Sequence, residues 1–417
     1  MGVFYVAKSG NDGTGTEDNP ALPYLTIDAA LTDASTSGDI VEIVDEGSYN
    51  EGELAARATN VTLKHTASSL GRPIIYGTGL ASNPGQNPFD LAYTGFTLQG
   101  IEIKDYTSTV FHKNGANIQG LNVTDCFIHD VPRFNTGGNL VGTSGEPNII
   151  KQTVMFFDSD SGGWSGPVND GYLQMENCLL TSSATSAAEG DGNWPLLYDY
   201  STKGTASFCT IINRGSTSKS TIRMAKVINC LVSSSNGMGI ASDDQTYNLV
   251  CATGGGFAFR NRADDAAAST GSGERQIDHD DVGFVRGTFT GTGGETNAAT
   301  ARYFNITEAA TAFGAGTAYN DIYVDITGNL RPQGAGYDIG CFELTVPWSD
   351  YGFQKENNTN NGFIIQTYNN LSGNYQFRSN SDQTYNPSQV PFSLGIKGPP
   401  NLRKFRALGQ KPYKVTK

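Results

Sequence analysis

Four acidic groups have residue types able to do chemistry: Asp158 with Asp160, Glu189 with Asp191, Asp243 with Asp244, and the run Asp278-His279-Asp280-Asp281. Cleaving a glycosidic bond takes two carboxyl groups, roughly 5 Å apart for retention of configuration and roughly 6.5 to 9.5 Å for inversion. Carboxylates on neighbouring strands can meet either spacing. The same residues also suit solvated turns of an acidic protein, and both readings stand. Phe134, Trp164, Trp194, Tyr198 and Tyr200 lie in or beside Gly- and Ser-rich stretches. Exposed, they would grip the apolar face of a sugar; packed, they would pin their loops. His65, His112, His129 and His279 show no metal-ligand spacing, so no structural metal site is expected. There is no nucleophile elbow. Gly254-Gly255-Gly256 runs into Phe257-Ala258-Phe259, which reads as strand, not as a phosphate-cradling loop before a helix.

A recurring motif must position these side chains. It reads Thr124-Asp125-Cys126-Phe127-Ile128, Glu176-Asn177-Cys178-Leu179-Leu180, Ser207-Phe208-Cys209-Thr210-Ile211, Ile228-Asn229-Cys230-Leu231-Val232 and Leu249-Val250-Cys251-Ala252-Thr253, and takes five of the six cysteines. From Cys209 to Cys230 and from Cys230 to Cys251 the spacing is 21 residues. Such a period predicts a solenoid, each coil burying its apolar side against the next. Cysteine, a small and readily buried residue, would form an internal stack, with Asn177 and Asn229 as a polar ladder one position earlier.

Composition agrees. At 417 residues the chain exceeds the roughly 250 to 300 of one globular core, a limit that a solenoid escapes by growing along one axis. The 51 glycines fit many tight turns. Lys and Arg number 28 against 41 Asp and Glu, which argues against a nucleic-acid binder, and no apolar run is long enough to span a membrane. Met1 leads directly into Val3-Phe4-Tyr5-Val6 with no basic region or long apolar core. That implies either a leader already removed or export by another route. The stacked cysteines do not point to an oxidising compartment.

In chain order, residues 4–8 form a strand. The oxygen-rich loop 9–20 reads as a Gly-Asn turn or as a cradle for Ca²⁺. Residues 26–34 place Ile27, Ala30, Leu31 and Ala34 at helical spacing behind Thr26 as a cap, predicting a short helix over the open end of the solenoid. Short apolar runs then recur as strands, with projecting loops expected at 133–148, 158–170 and 182–195.

Phe4-Tyr5-Val6-Ala7-Lys8-Ser9-Gly10-Asn11-Asp12, Pro23-Tyr24-Leu25-Thr26-Ile27 with Ala29-Ala30-Leu31, and Gly38-Asp39 leading to Gly47-Ser48-Tyr49 resemble the opening of right-handed parallel β-helix proteins of the pectate-lyase-like superfamily. The stretch from Asp325-Ile326-Thr327-Gly328-Asn329-Leu330-Arg331-Pro332 through Tyr337-Asp338-Ile339-Gly340-Cys341-Phe342-Glu343 resembles the closing motif of bacterial and phage-borne members. The resemblance implies an all-β, single-stranded right-handed parallel β-helix. It divides the chain into an N-terminal strand and capping helix (1–38), the β-helix (39–343) and a C-terminal appendage (344–417). By analogy with the lyases it implies an acidic calcium site with a basic residue beside it, for which Asp243 and Asp244 with Arg223 are the candidates. The polygalacturonase aspartate pairs and the pectate lyase calcium and arginine motifs are not found.

Residues 347–417 hold nine Lys or Arg and three Asp or Glu. The tail carries Lys397, Arg403, Lys404, Arg406, Lys411, Lys414 and Lys417 with Phe405, Leu408 and Tyr413 between them, and Pro399-Pro400 holds its approach extended. It reads as an assembly element. The expectation is a structural and recognition protein of a bacteriophage particle, a tail spike, fibre or surface decoration. It would bind a surface polysaccharide and assemble with virion proteins or with its own copies, by family analogy as a trimer. The alternative is an extracellular or cell-surface polysaccharide lyase or glycoside hydrolase.

Overall fold

The computed structural model describes residues 1–66, 71–80, 87–113, 117–135, 140–157, 166–182, 196–201, 203–213, 221–234, 239–252, 259–261, 275–277, 312–320, 322–326, 328–333, 336–344, 363–367 and 375–379. For 234, 251–252, 259–261, 275–277, 363–367 and 375–379 this concerns the backbone alone. The chain divides into two compact units, Met1–Leu344 and Thr345–Lys417. The second contains an antiparallel pair, Phe363–Thr367 with Tyr375–Ser379.

The first unit is a coil of short parallel strands stacked coil on coil. On one face Phe4, Val41, Leu63, Leu98, Val123, Ile150, Met175, Ala206 and Val227 stand in register and are buried. On a second face Tyr49, Ile75, Ile103, Ile128, Met155, Leu180, Ile211, Val232 and Val250 do the same. Alternation along each short strand points one residue inward, and stacking like on like removes each inward side chain from water. The third face begins with Phe89–Asp90, Thr109–His112 and Arg133–Asn135.

The helix spans Ile27–Asp33, with Thr26 accepting from the Ala29 N–H at its cap and Ile27, Ala30 and Leu31 buried. It packs on Val3–Val6 and Ile40–Ile43. The free edge of Val3–Val6 is closed by Asp18 and Tyr24, whose N–H groups donate to Val3 and Tyr5, so the end of the shaft offers no open ladder to another chain. In the oxygen-rich loop, Asp12 accepts from Leu25 N, Thr26 N and Thr26 Oγ1, and Asp18 from Val3 N. These carboxylates serve the turn.

The corner between the first and second faces is turned by one residue of positive φ per coil: Gly100, Asp125, Gln152, Asn177, Phe208, Asn229 and Tyr247. The next position holds the thiol column of Cys126, Cys178, Cys209 and Cys230, with Thr153 in the coil between the first two. Cys251 does not join it. It pairs with Ser233, and Asn248 takes the column position, donating to Val227 O and accepting from Cys230 N. The last turn is shorter than the 21-residue spacing implied, because Leu231 pairs with Leu249. Nor do Asn177 and Asn229 form a ladder, since Phe208 stands in the coil between them.

Those asparagines instead clamp a strap. The described residues between 312 and 344 lie along the outside of the second face: Asn229 donates to Thr317 O and accepts its N–H, Asn177 donates to Val324 O, and Gln152 to Asp325 O. Under the strap the outward column Phe127, Val154, Leu179, Thr210, Leu231 and Leu249 meets Ile326, Ile339, Cys341 and Phe342. Thr210, the polar member of that column, accepts from Cys341 N through Oγ1. The strap is held rigid by a buried network. Arg331 donates to Glu343 Oε2 at 3.0 Å and to the carbonyls of Asp338 and Gly340, and lies over the Phe208 ring at 4.6 Å. Asp325 accepts from Asn329 N and Glu343 N, and Asp338 from Gly314 N and Leu344 N.

Two expected results follow from this packing. Burial pushes the Cys126 and Cys341 thiols up to about 12 and those of Cys178 and Cys230 well above the ordinary range. Burial acts on Cys209 too, but hydrogen bonds from Cys178 and Cys230 bring it below the ordinary range. All five thiols are buried, so titration of the native protein with a thiol reagent should leave Cys126, Cys178, Cys209, Cys230 and Cys341 unlabelled until the shaft unfolds; rapid labelling of these positions would contradict the register. In the strap, burial pushes Asp338 up to about 6 and Glu343 up to about 7, against the opposing pull of Arg331 and the backbone donors. The folded unit keeps protons that the unfolded chain has released. The resulting stabilisation is complete below the ordinary carboxylate range and lost as pH rises through 6 to 7. Thermal unfolding should occur at a higher temperature at pH 5 than at pH 8.

Candidate functional site

Higher up the shaft the third face passes to Val168–Asn169, to Leu197–Asp199, and then to the leading halves of Ile222–Ile228 and Ile240–Thr246. Strand Ile222–Ile228 pairs through its first residues with Leu197–Asp199 and through its last with Thr205–Ser207. The third face therefore bends directly into the first. One coil below, Tyr200, Ser201, Lys203 and Gly204 lie at the same corner.

Asp199 builds that turn. Wholly buried, its Oδ1 accepts from Asn169 Nδ2, Ser201 N and Ser201 Oγ, and its Oδ2 from Gly204 N. A Cβ at Gly204 would lie 2.7 Å from Met224 Cε and 2.8 Å from Asp199 Oδ2, so a larger residue there would have to displace both side chains. The turn holds Tyr200 outward at 45% exposure. Its ring meets that of Tyr198 edge-on, with centroids 4.5 Å apart. Tyr198 is buried and receives a hydrogen bond on its hydroxyl from Arg223 Nη1 at 3.1 Å, the guanidinium carbon lying 5.3 Å from the ring centre. Burial, with the nearby Tyr198 and Asp170, raises the Tyr200 pKa. On either side the pairing recurs: Lys203 Nζ lies 5.1 Å over Tyr172, and Lys226 Nζ 5.5 Å over Tyr319 while bridging Asp244 at 2.8 Å.

Arg223 stands opposite Ala241 in register, not opposite either aspartate. What the fold brings to it is Tyr198, and what it brings to Asp244 is Lys226. Arg223 sits in the third-face half of its strand and Asp244, opposite Lys226, in the first-face half, and both Asp243 and Asp244 are exposed. Lys226 is the basic partner that the sequence reading missed; its place opposite Asp244 appears only with the register. Phe134 is no sugar platform. It is fully buried, 5.1 Å from Phe111 in the aromatic core of the third face. Trp164, Trp194, Asp158, Asp160, Glu189, Asp191, the run 278–281 and the basic tail lie outside the described residues. Among the described residues, no three His, Cys, Asp or Glu side chains are grouped to hold a metal ion.

The arrangement suits binding. One ring is exposed, a second is packed beneath it, and three cations each face a tyrosine on a shaft whose chain carries a net charge of −13. Cations held over rings are oriented and partly desolvated, a state that favours their pairing with an anionic group.

The sequence matches no family model and no curated protein. Among solved structures it is similar to a rhamnogalacturonan lyase (11% identity, TM-score 0.39, 68% of this chain and 91% of the other). It is also similar to a pectate lyase (12% identity, TM-score 0.42, 82% and 96%) and to a pectin methylesterase from Aspergillus niger (13% identity, TM-score 0.31, 67% and 84%). The chain's own stacked parallel registers make it a right-handed parallel β-helix.

Proposed function

We propose that this chain is a recognition protein whose shaft binds an acidic surface polysaccharide along the corner carrying Tyr172, Tyr198, Tyr200, Lys203, Arg223 and Lys226. The observation that carries this reading is the exposed Tyr200 ring seated on the Tyr198–Arg223 pair. An aromatic face takes the C–H side of a sugar, and a guanidinium beside it is suited to a carboxylate or sulfate in fork geometry. At a finer level the protein is a component of a bacteriophage particle, a tail spike, fibre or surface decoration. It is attached through the unit Thr345–Lys417 to other virion proteins or to its own copies as a trimer. The excess of basic residues in that unit, within an acidic chain, supports an attachment role.

The test is an array of acidic and neutral oligosaccharides probed with the full chain, followed by incubation with each ligand bound. Retention of acidic members, with no new reducing ends or unsaturated sugars released, supports recognition. Cleavage would establish the lyase or hydrolase reading instead, and retention of neutral glycans alone would remove the role given to Arg223.

A further inference from the structure

Independently of any glycan, the outer side of the second face holds a titratable cluster beside the strap. His129 is buried, its side chain 5% exposed, between two carboxylates. Its Nδ1 lies 2.6 Å from Asp130 Oδ2 and its Nε2 lies 3.0 Å from Glu102 Oε1 of the coil below. The imidazole stacks on Phe127, with centroids 4.2 Å apart and planes 24° apart. Phe127 in turn belongs to the apolar cluster on which Ile326, Cys341 and Phe342 of the strap are seated.

We propose that His129 is a pH-operated clasp for the strap: its imidazolium bridges Glu102 and Asp130, keeps the ring flat on Phe127, and on losing its proton loosens the seat beneath Ile326 and Phe342. The reason is donor arithmetic. Only the protonated ring has two N–H groups, one for each carboxylate; the neutral ring has one. Deprotonation therefore leaves Glu102 or Asp130 facing a lone pair at hydrogen-bond distance, and the ring must turn or withdraw.

Burial works against the charged imidazole, but the hydrogen bonds and charges of Asp130 and Glu102 outweigh it and raise the pKa. With the folded value above the unfolded one, the clasp is complete below the ordinary histidine range near 6.5 and lost as pH rises through the folded value. Lys104 lies 3.9 Å from the same Glu102 oxygen. On the strap, Asp325, Arg331, Asp338 and Glu343 are engaged in their own network, and Cys341 carries a thiol pushed up by burial. Asp338 and Glu343 titrate too, so the test must separate them from His129.

The separation comes from comparing the full chain with His129→Gln, in which the strap acids are unchanged. Hydrogen exchange is followed for 336–344 against the interior rungs of the first face, from pH 6 to pH 9, after correction for intrinsic rates. The wild type should lose strap protection across this range at least about tenfold more than the variant, on the order of one charge-assisted hydrogen bond. The variant should already be the less protected of the two at pH 6. A second arm keeps the histidine: in Glu102→Gln the imidazole, read by NMR, should titrate lower than in the wild type, and strap protection should fall at correspondingly lower pH. Equal strap profiles in wild type and His129→Gln would overturn the proposal. So would a wild-type imidazole titrating at or below its ordinary value.

Discussion

Arg331→Met should destabilise the Met1–Leu344 unit by about 3 to 5 kcal/mol at pH 8, the cost of removing one partner from a buried ion pair. The guanidinium is wholly buried, pairs with Glu343 and brings positive charge to Asp338. Methionine would fill much of the volume over Phe208 but supply no donor to Glu343 or to the Asp338 and Gly340 carbonyls. Arg331→Lys should recover only part of the loss, because one ammonium cannot reproduce a planar fork that serves three acceptors. The loss should shrink at pH 5, where Asp338 and Glu343 take up protons and the uncompensated charge falls. Chemical denaturation of the full chain at both pH values measures it. A change below about 1 kcal/mol, the scale of an exposed ion pair, would show that the network does not hold the strap.

Tyr200→Ala should weaken binding of an acidic oligosaccharide by about ten- to a hundredfold, roughly 1.4 to 2.8 kcal/mol, while unfolding stays within about 0.5 kcal/mol of wild type. The two readouts diverge because the ring is nearly half exposed and the turn beneath it is built by Asp199, Ser201 and Gly204, not by the tyrosine. Tyr200→Phe keeps the face and should retain most of the affinity. Arg223→Lys keeps the charge but loses the fork against Tyr198, so its loss should be larger for acidic than for neutral ligands. Calorimetric titration of the three variants with one ligand from the array distinguishes these outcomes. Unchanged affinity in Tyr200→Ala would move the binding surface elsewhere.

The inward rungs were legible in the sequence because each short strand repeats one apolar position between turn residues, and burial acts on that position in every coil. Cys126, Cys178, Cys209 and Cys230 revealed the column for the same reason. Cys251 misled, since equal spacing along the chain equals one coil only when the intervening loop keeps its length, and the last turn is shorter. The strap leaves a signal in the sequence: Phe127-Ile128, Val154-Met155-Phe156 and Leu179-Leu180 are apolar at consecutive positions, which in a strand means both faces are covered. The covering element reads in sequence as the closing motif of the shaft, because a motif carries no information on the side it packs against. The corner site was half visible. Tyr198, Tyr200 and Arg223 stand out by type, yet their mutual register depends on how many residues separate one coil from the next, which no pattern fixes. Lys226 with Asp244 and Glu102 with His129 are inter-coil pairs, invisible until the coils are aligned.

The most direct test of the central claim is carbene footprinting of the full chain with and without a bound acidic oligosaccharide. The account predicts protection at Tyr200 and along the corner at Lys203, Arg223 and Lys226, with the strap and the N-terminal helix labelled equally in both states. Protection confined to another face of the shaft, or to Thr345–Lys417, with the Tyr200 corner labelled as in the free protein, would contradict it.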